Sequence, residues 1–249
     1  MSETERAIEY YVCWDVGGWN CDNNPRSRDA IVILNKNRKL LGKPWRGNLR
    51  SHINKALSTE RWIKGLLQLC RIDVPTGQMI ATMAIDTPLG FSTEFVKLVD
   101  HRQQYEDDIE KSSANPYLFR RTERFLFQKG LTPLSAVKDM IGSQATKGIH
   151  ALAKFSPIVS SCGVWTDKKS LTVIEAYPSG CKGSQTIAKL RADYGALGHE
   201  DKEDAMICAL IANLFAENRD KLFGPVEEIP ASEGWIWIPA DVISGEAKP

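Results

Sequence analysis

The chain is expected to fold as an α/β protein around a mixed sheet, and three features of the sequence predict this. Three separate apolar, β-rich runs each close on a carboxylate. The first runs are joined by connections short enough for an antiparallel meander, and stretches with helical spacing separate the later ones.

The elements follow in order. Tyr10 to Val16 is the first strand, stopped by Gly17-Gly18. A polar loop with Asn23, Asn24 and Pro25 leads to a second strand, Ala30 to Leu34, and Lys39-Leu40-Leu41 reads as a possible third. From Leu49 to Cys70 the spacing becomes helical, with a break near Ser58 and with Trp62, Leu66, Leu69 and Cys70 on one face. Met79 to Asp86 is another strand, nearly continuous in apolar character and broken by Pro88 and Gly90. Residues 91–160 read as mostly helical, an insertion or cap on a single domain spanning 1–249, with Asn115-Pro116 as a start signal and Gly130 as a stop. Leu171 to Pro178 gives a further strand, with the acid Glu175 near its end, followed by a helix from about Glu203 to Asn218 and a short strand in Gly234 to Pro239.

Composition narrows the classes. Of the 249 residues, 43% are hydrophobic and 25% charged, so a full core is available and disorder or coiled coil is disfavoured. No apolar run approaches the about 20 residues needed to span a bilayer, and the acidic, polar start is unlike an export signal, so a cytoplasmic protein without membrane contact is expected. Six scattered cysteines without a C-x-x-C pair read as free thiols, and four isolated histidines argue against a histidine-based metal site. A net charge of +1 denies the protein a broad basic footprint, so any polyanion contact must be local.

Asp15, Asp86 and Glu175 stand at or near the carboxyl ends of their strands, where ligands bind in parallel-rich sheets, and Asp201 and Asp204 lie one turn apart at the start of a helix. Two carboxylates about 4 Å apart repel by roughly 4 kcal/mol at an effective dielectric near 20, so several together need a cation. Oxygen ligands suit Mg²⁺ or Mn²⁺, and two such ions about 3.5–4 Å apart are a known arrangement for hydrolysing phosphodiesters. Singly, a strand-end aspartate often caps a loop and acids in a first helical turn favour the helix dipole; jointly, the pattern favours a metal-dependent nuclease. Asp204, one turn before Cys208 and next to Ala205, is preferred over Asp201 as the helix-borne ligand.

At these residues the chain resembles the ribonuclease H-like superfamily, and within it the predicted-nuclease family called domain of unknown function 429. The resemblance rests on Cys13-Trp14-Asp15-Val16-Gly17-Gly18, on Ala84 to Gly90, on Val173 to Ser179, and on Asp201 to Ala212. It implies a five-stranded mixed sheet flanked by helices, the first three strands antiparallel. It also implies metal ligation by Asp15, Asp86 and Asp204, with Glu175 a ligand or supporting acid. The asparagine-rich loop after Asp15 and the long middle segment depart from the family pattern.

Arg120 and Arg124, four apart with Arg121 alongside, could clamp a substrate phosphate, and Lys182 could meet a backbone phosphate; a solvated helix and loop explain the same letters. Trp235 and Trp237, alternating with isoleucines, read as sheet residues rather than base-stacking platforms, and His199 reads as polar surface. Two rival functions remain. One is a non-catalytic module binding nucleic acid or a partner. The other is an actin-like phosphotransferase, disfavoured because no Thr or Ser follows Gly17-Gly18 and no second glycine-rich loop is present. DNA or RNA is the expected partner; the sequence carries no signal for oligomeric state.

Overall fold

The computed structural model describes residues 7–226 and 229–243. The strands are β1 (Ile8–Asp15), β2 (Asp29–Asn35), β3 (Trp45–Gly47), β4 (Met79–Asp86), β5 (Ile158–Ser161), β6 (Val164–Thr166), β7 (Leu171–Ala176), β8 (Leu222–Phe223) and β9 (Ile236–Pro239). The helices are α1 (Arg50–Lys55), α2 (Thr59–Leu69), α3 (Thr93–His101), α4 (Arg121–Gln128), α5 (Gly142–Phe155), α6 (Gln185–Arg191), α7 (Glu200–Glu217) and α8 (Ala240–Ile243). The protein is thus mixed α/β, with one large mixed sheet flanked by helices.

Strand order is β3-β2-β1-β4-β7-β6-β5. β1, β2 and β3 pair antiparallel, whereas β4 runs parallel to both β1 and β7. β6 pairs antiparallel with β7, and β9 lies parallel beside its last two residues, Glu175 and Ala176. Side chains alternate across this sheet, so each strand feeds two cores. On one face Tyr11, Cys13, Ala84 and Ile174 pack against α7. On the other, Val12, Trp14, Met83, Ile85 and Val173 meet α2 and α5. There Trp62 stacks on Phe155 at 4.9 Å and meets the edge of Trp14 at 6.0 Å, joining both helices to β1. Each such fully buried aromatic contributes about 1.5–3 kcal/mol by leaving water. Helix α7 is buried at nearly every position from Ala205 to Phe215, which explains its apolar composition all round.

Several local expectations are corrected. Lys39-Leu40-Leu41 forms only a single bridge, Leu34 to Leu40, made by the Leu41 N–H on the Ile33 carbonyl and the Asn35 N–H on the Lys39 carbonyl. Gly42 then turns left-handed (φ +58°), where a Cβ would lie 2.1 Å from the Cys70 carbonyl, and Lys43 N–H bonds that same oxygen. The chain is thereby drawn off the sheet, and Trp45–Gly47 supplies the third strand instead. The break at Ser58 is present: its hydroxyl caps α2 by accepting the Arg61 N–H at 3.2 Å. Leu69 is only partly buried, and Ile63 and Leu67 complete the face in its place.

In residues 91–160, helices of 9, 8 and 14 residues leave more than half the segment in loops, turns and strand. Asn115-Pro116 does not start a helix. The Asn115 side chain accepts the Tyr117 N–H at 2.9 Å to close a turn, and α4 begins only after Arg120, whose N–H is accepted by Glu123 at 2.9 Å. Gly130 does stop α4, with φ +78°. Trp235 and Trp237 are buried, donating to the Phe223 and Gly163 carbonyls at 2.9 Å. All six cysteines are free thiols, and no helix among the described residues is long and apolar enough to cross a membrane.

Candidate functional site

Asp15 and Asp86 end adjacent parallel strands and are register partners, so their carboxylates leave the same face of the sheet side by side. Two residues below them, Cys13 and Ala84 pack against α7, where the Cys13 and Cys208 thiols meet. Asp204 stands one turn before Cys208, so the helix that seals the core also carries a third acid up to the sheet end. The three acids feel one another strongly. Burial pushes Asp15 well above the usual carboxylate range, and the charges of Asp86, Asp201 and Asp204 add to it. Asp86 is pushed up to about 8 by burial and then by Asp204 and Glu175, with partial relief from Lys182. Asp204 is raised mainly by burial, against the relief of Lys182.

These acids differ sharply from their neighbours in hydrogen bonding. Among the described residues no donor bonds the carboxylate of Asp15 or Asp86. Asp204 has the Lys182 ammonium 3.7 Å away. Asp201, by contrast, is occupied: one oxygen accepts the Arg46 guanidinium at 2.6 Å and the Arg28 N–H at 3.0 Å. It ties the start of α7 to β3 and to the loop after β1. Asp15, Asp86 and Glu175 border a cleft of ≈ 360 Å³ whose walls include Thr87, Pro88, Pro133, Leu134, Gln144 and Tyr177.

Glu175 is placed differently from its expected partners. Its register partner is Ile85, not Asp86, so its side chain leaves the opposite face. There it forms a two-pronged pair with Arg120, Nη1 at 2.8 Å and Nη2 at 2.6 Å, and accepts the Leu89 N–H at 2.9 Å. The Arg120 guanidinium is equally committed: Nε donates to Glu123 at 2.8 Å and Nη1 also to the Glu233 carbonyl at 3.0 Å. At 2% exposure Arg120 cannot reach a substrate phosphate, which corrects its expected clamping role. The reason is that Arg120 precedes α4 rather than sharing a helical face with Arg124. Arg121 and Arg124 border a separate hollow with Phe125, Phe127 and Ile229, away from the acid cleft. Lys182 stands beside Asp204, its ammonium 3.7 Å from the carboxylate.

A second buried network fixes the loop that follows Asp15. Asp29 and Lys147, both fully buried, pair at 2.5 Å. Asp29 also accepts the Trp14 indole N–H at 3.0 Å and the Gly17 N–H at 2.9 Å, while the Lys147 ammonium donates to the Gly17 and Gly18 carbonyls and to Asn48. Gly17 is required by this closeness, since a Cβ there would meet the Asp29 nitrogen at 2.7 Å. Fully bonded, the pair offsets the several kcal/mol of desolvation per ion that burial exacts. Sequence reasoning passed over both residues, although Lys147 lies at four-residue spacing with the buried Ala151 and Phe155.

Carboxylate oxygens are the ligands that a hard divalent cation takes. Asp15 and Asp86, free of protein donors among the described residues, present carboxylate oxygens at the cleft, with Asp204 close by on α7. Among the described residues no group of three or more His, Cys, Asp or Glu side chains that could hold a metal ion is found. Mg²⁺ commonly binds through one or two carboxylates with waters and phosphate completing the shell. No protein-family model, no curated protein and no solved structure matches the chain.

Proposed function

We propose that the protein is a divalent-metal-dependent nuclease with a ribonuclease H-like fold, hydrolysing phosphodiester bonds of DNA or RNA. The observation that carries the reading is the pairing of Asp15 with Asp86 in register, with Asp204 brought to the same sheet face, the two strand acids lacking any protein donor among the described residues. The sheet supports it: its central run β3-β2-β1-β4-β7 begins with three antiparallel strands and continues with two parallel to β1, in keeping with the ribonuclease H-like resemblance.

Asp15, Asp86 and Asp204 would hold Mg²⁺ or Mn²⁺. A bound cation supplies Lewis-acid stabilisation of the negative charge that grows on the phosphate and leaving oxygen as water adds to phosphorus and the ester bond breaks. The chain itself does the positioning. The Asp29–Lys147 pair fixes the turn after Asp15, and Arg46 holds Asp201 so that α7 presents Asp204 at a set height. Arg120 holds Glu175 at the end of β7, on the wall of the cleft.

The loop after β1 also weighs against nucleotide phosphotransfer. A phosphate-cradling turn needs free backbone N–H groups, but Gly17 N–H is taken by Asp29 and Trp19 N–H by Ser143. The test is incubation of the full chain with labelled single- and double-stranded DNA and RNA in Mg²⁺ or Mn²⁺. Cleavage by the wild type, lost on chelation and in a folded Asp15→Asn variant, is expected. Binding without cleavage in any metal would instead favour a non-catalytic binding module.

A further inference from the structure

The asparagine-rich loop after Asp15 contains a turn, Asn24 to Arg28, that ends on the cleft, where Ser27 lines the wall. The Asn24 side chain closes this turn by accepting the Arg26 N–H at 2.9 Å and the Ser27 N–H at 3.3 Å, and Pro25 restricts the backbone between them. Arg46 donates to the Pro25 carbonyl at 2.8 Å and to Asp201 at 2.6 Å. Asp201 also accepts the Arg28 N–H at 3.0 Å, so the turn is fastened to the start of α7 from both sides. Two further arginines lean on the same loop: Arg28 donates to the Asp22 and Asn24 carbonyls, and Arg50 to the Trp19 carbonyl and the Asn20 side chain. A guanidinium bonded to a neutral oxygen keeps its net charge. The four guanidiniums, with that of Arg26, meet only two carboxylates here, Asp201 on Arg46 and Asp22 at 3.5 Å from Arg50. Arg26 is exposed, and its guanidinium has no partner among the described residues.

We propose that this loop receives the sugar–phosphate backbone of a nucleic-acid strand beside the cleft, with Arg26 binding a phosphate and the Asp201–Arg46 pair acting as its positioning residues. The proposal rests on the nuclease reading for its catalytic meaning, but backbone binding by the loop needs no metal. A chain of net charge +1 must draw a polyanion through a local group of cations, and this group stands one residue from the cleft wall. Arginine suits the contact because its planar fork matches two phosphate oxygens. Phosphate contacts set the register of a strand without reading its sequence, so affinity should depend little on base composition. Asp201, which shares a helix turn with Asp204, thereby holds the strand-binding loop.

The experiment follows the fluorescence anisotropy of labelled single-stranded DNA and RNA with the full chain in EDTA, over a series of salt concentrations, so that cleavage does not enter the reading. The wild type should bind both at low salt. Arg26 has no partner to lose, so Arg26→Gln should fold normally. It should bind about tenfold more weakly at low salt, and its slope of log affinity against log salt should be shallower by about 0.7, the loss of one phosphate contact. Arg26→Lys should keep most of the affinity, whereas Asp201→Asn, which retains Arg26 but frees its turn, should weaken binding. No binding by the wild type, or an Arg26→Gln variant with wild-type affinity and salt slope, overturns the proposal, and an Asp201→Asn variant that binds like the wild type overturns the positioning role. A labelled polyglutamate peptide bound as tightly as DNA, with the same loss in Arg26→Gln, would assign the loop to acidic protein partners instead. Arg26-dependent binding by a chain that cleaves nothing in Mg²⁺ or Mn²⁺ leaves this proposal standing and removes the nuclease reading. Metal-dependent cleavage with wild-type binding by Arg26→Gln does the reverse.

Discussion

Asp86→Asn is expected to abolish metal-dependent cleavage and, at the same time, to raise the melting temperature of the metal-free protein at pH 8. The two effects share one cause. Burial and the field of Asp204 lift Asp86 to about 8 in the folded chain, against about 3.9 for an unperturbed aspartate. Between those values the folded state binds the proton more tightly than the unfolded one. The resulting stabilisation is therefore complete below about pH 4 and is lost as the pH rises toward 8, at up to about 1.4 kcal/mol per pH unit for a single group. The coupling with Asp15 and the solvent at the cleft mouth reduce this slope. An asparagine does not ionise, so the variant should gain little at pH 5 and most at pH 8. Mn²⁺ reverses the balance in the wild type, because a ligand that binds only the folded state stabilises it, and it should do so far less in the variant. Losing a ligand to an ion that contributes several kcal/mol to the transition state should lower turnover by about a hundredfold or more. Melting curves at pH 5 and pH 8, with and without Mn²⁺, together with a cleavage assay, check all three statements. A variant less stable than the wild type at pH 8 without metal would show that Asp86 is held charged by contacts absent from this account.

Arg120→Ala should be among the most destabilising single substitutions in the chain. The guanidinium pairs Glu175 and Glu123 and donates to the Glu233 carbonyl, all at about 1–3% side-chain exposure for the paired groups. Truncation leaves two buried carboxylates facing one another without a counter-charge, a defect that costs about 3–5 kcal/mol. For a chain of this size that corresponds to a fall in melting temperature on the order of 10 °C. Arg120→Lys keeps the charge but not the fork, so it should recover only part of the loss. Denaturant unfolding of both variants measures this directly. If Arg120→Ala unfolded like the wild type and only weakened nucleic-acid binding, Arg120 would be a substrate clamp after all.

The sequence carried the sheet further than it carried the site. Met79–Asp86 was legible because an unbroken apolar run ended in a proline–glycine break, and β1, β2 and β7 were found within two residues for the same reason. The third strand was misplaced because a left-handed Gly42, pinned to the Cys70 carbonyl, draws Lys39–Leu41 away, a tertiary contact that no local pattern encodes. Asp15, Asp86 and Glu175 looked equivalent as strand-end acids. What separates them is pleat parity: Asp15 pairs with Asp86, but Glu175 pairs with Ile85, and a one-residue offset in register sends its side chain to the other face. Register is a property of pairs of strands and is not written in either alone. Asp201 and Asp204 likewise share one helix turn, and it is distant partners that distinguish them, Arg46 from β3 and the Arg28 N–H for Asp201 and Lys182 for Asp204. The Asp29–Lys147 pair did leave a trace, a lysine spaced with the buried residues of α5, that reads as an exception until its partners are known.

The most direct measurement of the proposed centre is an anomalous difference map from crystals of the full chain soaked in Mn²⁺. The account predicts a strong peak about 2.1 Å from carboxylate oxygens of Asp15, Asp86 and Asp204. A map with no peak among these three acids at saturating Mn²⁺, or with the ion seated instead on Glu175 or Asp201, would contradict it.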